Sequence, residues 1–151
     1  MIDVSTGRDL DRLIDGAIAR PDRLSDVAFC APFIDDRMLD RIAHLAVAAR
    51  HASCGFRIVT SSGAATALVA RLPGPSAFWR KTVVVNDRVH AKAYVVTPRG
   101  RGYAQAIISS ANLTWGGIAG NFELGVSATS TSPQGRQVVR AVREFIRRVA
   151  A

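Results

Sequence analysis

Apolar residues recur at helical spacing at Leu10, Leu13, Ile14, Ala17 and Ile18 behind Asp9, and Pro21 closes the pattern, which predicts a helix over roughly residues 7 to 19. Val27 to Phe33 is an unbroken apolar run of strand length and reads as a buried strand. Asp35 and Asp36 can cap a second helix whose Met38, Leu39, Ile42, Leu45, Ala46 and Ala49 share one face, with Gly55 past its end. A short strand follows at Phe56 to Thr60. This strand, helix, strand succession predicts a right-handed parallel crossover, with Ser61-Ser62-Gly63 at the carboxyl end of the strands where ligands usually bind.

A further short helix is expected near Ala64 to Leu72, and Pro73-Gly74-Pro75 then breaks the chain. Lys81 to Asn86, Val89 to Thr97, Tyr103 to Ser109 and Phe122 to Thr129 read as strands, with turns at Asn86-Asp87 and at Pro98 to Gly102. From Gln134 to Val149 the pattern is an amphipathic helix, with Val138, Val142, Phe145, Ile146 and Val149 inward and Arg136, Arg140, Arg143, Arg147 and Arg148 largely outward. There is no internal repeat. The expected architecture is one α/β domain over residues 1 to 151, a mixed β-sheet flanked by helices on both faces.

Composition adds little to that outline and something to the question of partners. The 151 residues, 48% hydrophobic, suffice for one core but hardly for two. Twenty Lys+Arg against twelve Asp+Glu give a formal charge of +8, which favours a polyanion such as nucleic acid or an anionic membrane. Lys81 and Lys92 are the only lysines and alanine is abundant, so a biased genome composition accounts for part of the excess arginine. Cys30 and Cys54 lie in apolar stretches without CxxC or zinc-ligand spacing and read as reduced structural thiols. Asp3 and Asp9 stand where a signal peptide needs a basic segment, and no segment is apolar for 18 residues, so a cytoplasmic location without membrane association is expected.

Candidate chemistry begins at Val89-His90-Ala91-Lys92-Ala93. On an extended chain His90 and Lys92 face the same way, and two basic groups at that spacing make a phosphate site. Histidine can act as nucleophile or proton carrier near neutral pH, and lysine supplies a compact charge for phosphate oxygens. One strand later comes Ser109-Ser110-Ala111-Asn112-Leu113-Thr114-Trp115-Gly116-Gly117, then Asn121-Phe122-Glu123, a cluster of hydroxyl, amide and carboxylate groups where polar residues usually serve turns or sites.

The sequence here resembles the phospholipase D superfamily, whose pattern HxK followed by (G/S)SxNLTxxGxxxNxE is matched by His90, Lys92, Ser109, Ser110, Asn112, Leu113, Thr114, Gly117, Asn121 and Glu123. The resemblance implies that His90 attacks phosphorus to form a phosphohistidine. It also implies that Lys92 and Asn112 hold the phosphate oxygens, that Ser110 supports the site, and that Glu123 accepts a hydrogen bond from the far ring nitrogen of His90. It implies no metal and no other cofactor. The family reaction uses two histidines and this chain has one HxK, so a homodimer sharing one cleft is implied.

Thr97 stands where the fuller motif HxKxxxxD has an aspartate, and no acid occurs between Lys92 and Ser109. Arg99 and Arg101, on the turn that follows His90 in sequence, and Trp115, a base-stacking candidate or a packing residue, complete the expected nucleic-acid contacts. The expected function is a metal-independent endonuclease, with DNA favoured by the basic charge and sequence specificity left to a partner protein. Two competing readings are a phospholipase acting on lipid phosphodiesters, which would want an apolar docking surface, and a silent subunit that binds nucleic acid without cleaving it.

Overall fold

The elements form where local chemistry supports them. In this computed structural model, which describes residues 1 to 151, helix α1 (Gly7–Ala19) starts where the Asp9 carboxylate accepts the Thr6 N–H at 2.7 Å. Helix α2 (Asp36–His51) is capped by Asp35, whose carboxylate accepts the Met38 N–H at 2.9 Å. Helix α3 (Ser62–Val69) follows directly on Ser61, and helix α4 (Pro133–Val149) begins where the Ser132 hydroxyl accepts the Gly135 N–H at 3.1 Å. The strands are β1 (Ile2–Ser5), β2 (Leu24–Cys30), β3 (Gly55–Thr60), β4 (Val83–Val85), β5 (Ala93–Pro98), β6 (Gln105–Ser109) and β7 (Gly125–Thr129).

They make one seven-stranded sheet in the order β1-β7-β6-β5-β2-β3-β4. β2, β3 and β4 run parallel, joined through α2 and α3, while the pairs β2–β5, β5–β6, β6–β7 and β7–β1 are antiparallel. The mixed sheet with helices on both faces is as expected. On one face α1, α2 and α3 close over a cluster of 27 buried residues that includes Phe29, Ile58, Tyr94 and Ile107. On the other, α4 sets Val139, Val142 and Ile146 against Ala28, Cys30, Val59 and Val95 in a cluster of 12.

Several boundaries differ from the sequence reading. β1 was not foreseen, since two apolar residues around Asp3 carry no periodic signal; its partner β7 makes it a strand. β2 spans Leu24–Cys30 rather than Val27 to Phe33, because its ladder to β5 starts at Leu24 and the chain leaves the sheet at Ala31-Pro32. The Val89 to Thr97 strand begins at Ala93, and the Phe122 strand begins at Gly125. Between β6 and β7 the chain makes a π-helical turn at Gly116–Gly120, closed by the Asn121 N–H on the Gly116 carbonyl at 2.6 Å. No helix is long and apolar enough to cross a membrane.

Candidate active site

The four residues ahead of β5, Val89 to Lys92, lie outside its ladder. The Val89 N–H is held by the Asn86 carbonyl at 3.1 Å, and the Ser109 N–H at the end of β6 donates to the Lys92 carbonyl, also at 3.1 Å. Val89 and Ala93 are buried in the α4-side core and Ala91 packs against it. The alternation of residues that pack on that core with residues that do not turns His90 and Lys92 together away from it. His90 is exposed and Lys92 half-buried, with Lys92 Nζ 3.5 Å from the His90 carbonyl.

At the end of β6 the polar motif folds back on the approach to β7. The Ser110 N–H donates to the Leu124 carbonyl at 3.1 Å, its Oγ accepts the Leu124 N–H at 3.2 Å, and its hydroxyl donates to the Glu123 carboxylate. Asn121 Nδ2 lies 3.5 Å from the other Glu123 oxygen. Ser110, Asn121 and Glu123 are thus one hydrogen-bonded group, and His90 is not among the hydrogen-bond partners of Glu123. Glu123 and Asn121 also line a concavity of about 560 Å³ shared with Arg8 and Phe122.

Asn112 sits between the buried Ala111 and Leu113. This loop is fixed to β5 by Tyr94, whose hydroxyl donates to the Ala111 carbonyl at 2.8 Å. Tyr94 is fully buried, and burial first, then the neighbouring Cys30 and Glu123, push its pKa well above the ordinary tyrosine value, so it remains a donor. Asn112 Oδ1 is buried without a hydrogen-bond partner, an arrangement that costs about 1–3 kcal/mol. The motif glycine is required sterically: a Cβ on Gly117 would lie 2.7 Å from the Asn112 carbonyl oxygen.

One residue that the sequence reading took only as a cap ties the helical layer to this loop. The second Asp35 oxygen accepts the Trp115 N–H at 2.5 Å, and the Asp35 N–H donates to the Leu113 carbonyl at 3.1 Å. Only its position before a helix could have flagged it. Trp115 is 39% exposed, and the guanidinium carbon of Arg37 sits 3.3 Å from its ring centroid, so one face of the indole is already occupied.

Arg99 and Arg101 are not beside His90. β5 runs from Ala93 to Pro98, so the turn carrying them lies at its far end, roughly 20 Å away at about 3.3 Å per residue. Arg99 instead donates to the Ala52 and Ser53 carbonyls, at 3.2 and 2.9 Å, at the end of α2. The expectation of contact with the His90 region fails because an extended strand converts closeness in sequence into distance in space. Thr97 lies at this far end as well, opposite Asp26 and bonded by Arg143, so the missing motif aspartate falls away from His90. Burial pushes the Cys30 thiol up to about 11 and raises that of Cys54. No three His, Cys, Asp or Glu side chains converge as metal ligands.

No protein-family model matches the sequence, and no curated protein matches it either. Solved structures do. Polyphosphate kinase from Porphyromonas gingivalis superposes with a TM-score of 0.67 at 14% identity, over 99% of this chain and 26% of the kinase, so the chain spans about a quarter of that protein. Nuc from Salmonella typhimurium, a phospholipase D family member, gives 0.55 at 15% identity over 95% of this chain and 91% of Nuc. NucT from Helicobacter pylori gives 0.54 at 12% over 97% and 96%. The chain shares its fold with these three structures, one of them a phospholipase D family member.

Proposed function

We propose that the chain is a phosphodiesterase of phospholipase D type, an endonuclease that hydrolyses DNA without a metal in a site shared by two copies. The observation that carries this reading is the pairing of His90 and Lys92 on one side of a segment bonded to Ser109, next to the Ser110, Asn121 and Glu123 group. A ring nitrogen of His90 attacks phosphorus, a P–N bond forms as the P–O bond to the leaving nucleoside breaks, and His90 of the second copy protonates the departing oxygen. Water then attacks the phosphohistidine, gives up its proton to that second histidine, and frees His90. Lys92 and Asn112 bind the non-bridging oxygens, whose charge grows in the transition state. Glu123, already placed by Ser110, orients the imidazole when substrate draws His90 inward.

A second copy is supported by an uncovered apolar row. Val4, Val126 and Ile108 are cross-strand partners on β1, β7 and β6, each exposed, and the exposed Phe122 and Leu124 flank Glu123 in the segment leading to them. A two-fold interface needs one self-complementary patch, and a charge-free row next to the motif supplies it. The test is cleavage of plasmid and single-stranded DNA in excess EDTA by the parent protein and by His90→Ala, with light scattering on the parent and on Val126→Lys. Cleavage that survives EDTA, disappears with His90→Ala and falls as Val126→Lys becomes monomeric is the expected result. A folded dimer that cleaves nothing, or cleavage that persists in His90→Ala, overturns the reading.

A further inference from the structure

Charge is unevenly spread through the fold. Nine of the twelve acids lie in residues 1 to 40, and fifteen of the twenty basic residues lie beyond them. On the three-helix face Arg41 reaches Asp11 and Asp15, and Arg71 reaches Asp36 and Asp40, while Arg37 and Arg50 lie over aromatic rings and are in no ion pair. None of Arg57, Lys81, Arg140, Arg143 and Arg147 is in an ion pair, and all five line concavities beside α4.

The largest of these, about 310 Å³, lies between α4 and the starts of β2 and β3, walled by Arg57, Lys81, Arg143 and Arg147. Its one acid is Asp26, whose pKa is raised by burial and pulled back by Arg143 and Arg57. Two further hollows share its arginines, one adding Arg140 and Glu144 and the next Glu144 and Arg148. Arg140, Arg143 and Arg147 stand three and four residues apart on one helix, and with Arg148 and Lys81 they make five positive charges against the single helix acid Glu144 and the half-buried Asp26. The series is too long for a single phosphate group, since Arg140 to Arg148 covers roughly 12 Å of helix, the cleft arginines included. α4 ends where Asn86 Nδ2 donates to the Val149 carbonyl at 2.8 Å, and Asn86 in turn holds the Val89 N–H next to His90.

We propose that this stripe is a second nucleic-acid contact, a phosphate-backbone track that starts in the cleft over β2 and β3 and follows α4 toward the His90 segment. It rests on the nuclease reading for the identity of the polyanion. The track spans several phosphates, at about 3.4 Å per nucleotide along one strand, so it binds long substrates and leaves the reaction of short ones alone.

The experiment measures binding of a 20-nucleotide single strand and of a dinucleotide by His90→Ala, alone and with Arg143→Gln plus Arg147→Gln. Lys81→Gln plus Arg147→Gln is the second pair, which spares the Arg143 bond to Thr97. Both pairs are expected to weaken binding of the long strand about tenfold or more and to lower its salt slope by about two, with dinucleotide binding unchanged. In the otherwise native protein the same pairs are expected to leave turnover of bis-p-nitrophenyl phosphate unchanged. Unchanged long-strand affinity in the second pair, melting like the parent, overturns the track, as does equal weakening for the dinucleotide. So does loss of binding to phosphatidylglycerol vesicles with DNA binding intact. A parent that turns over neither DNA nor the small diester sinks the nuclease reading, while the affinity measurements still decide the track.

Discussion

On one face of the sheet three helices close over 27 buried residues, and Arg41 and Arg71 each bridge two aspartates. On the other, a single helix covers 12 buried residues, none of its arginines is in an ion pair, and Val4, Val126 and Ile108 are left bare beside it. The first arrangement satisfies the ordinary demands of stability, with dense packing and charges compensated nearby. The second sets aside some of that stability in an excess of positive charge over two acids and in uncovered apolar surface, departures that proteins make where something is to be bound. The two faces should therefore be separable by mutation.

The largest difference between the layers is expected in the core. Phe29 is fully buried, edge-on to both Phe56 and Tyr94, and Phe29→Ala should cost about 3–5 kcal/mol, against nearer 2 kcal/mol for Ile146→Ala beneath α4. Denaturant unfolding that gave equal losses would break the comparison. Next is Tyr94→Phe, which leaves the Ala111 carbonyl without its donor at a cost of about 1–3 kcal/mol. It should lower kcat more than it raises KM, because it loosens the Asn112 loop and not the arginine stripe. Arg41→Ala should cost up to about 1 kcal/mol by leaving Asp11 and Asp15 unpaired, whereas Arg147→Ala should change stability by less than about 0.5 kcal/mol. Thermal melts of the two variants would sharpen the contrast or erase it.

The smallest effect is one of pH. Cys30 keeps its proton in the folded chain up to about 11, above the ordinary value of 9.0, so the folded state binds the extra proton in that window. Stability from this group is fully present below about pH 9 and declines as pH rises toward 11. Neutral and mildly alkaline conditions should leave the thiol unmodified by iodoacetamide; rapid alkylation at pH 8 would show the α4 side to be more open than its packing indicates.

The sequence revealed what is local. Helices α1, α2 and α4 follow from apolar periodicity and capping residues, and the His90, Lys92, Ser110, Asn112 and Glu123 set from the resemblance of two short segments to a family motif. What it concealed depends on partners far along the chain. β1 exists because β7 pairs with it, and the basic cleft draws Arg57 from β3, Lys81 from the approach to β4, and Arg143 and Arg147 from α4. Arg99 shows the converse error, since a residue close to His90 in sequence was carried to the far end of β5. The π-helical turn at Gly116–Gly120 had no signature beyond three glycines, and only the close approach of Gly117 to Asn112 explains one of them.

β5 is the middle strand of seven, paired on one side with β6 and on the other with β2. A sheet opens from its edges, so β1 and β4 should exchange their amide protons with solvent early, by local fraying. Amides of Tyr94, Val95 and Val96 should exchange only when the whole molecule unfolds. The segment bearing His90 and Lys92 is thereby moored to the slowest-exchanging part of the protein, and fluctuations at either edge of the sheet need not disturb the spacing of the two side chains.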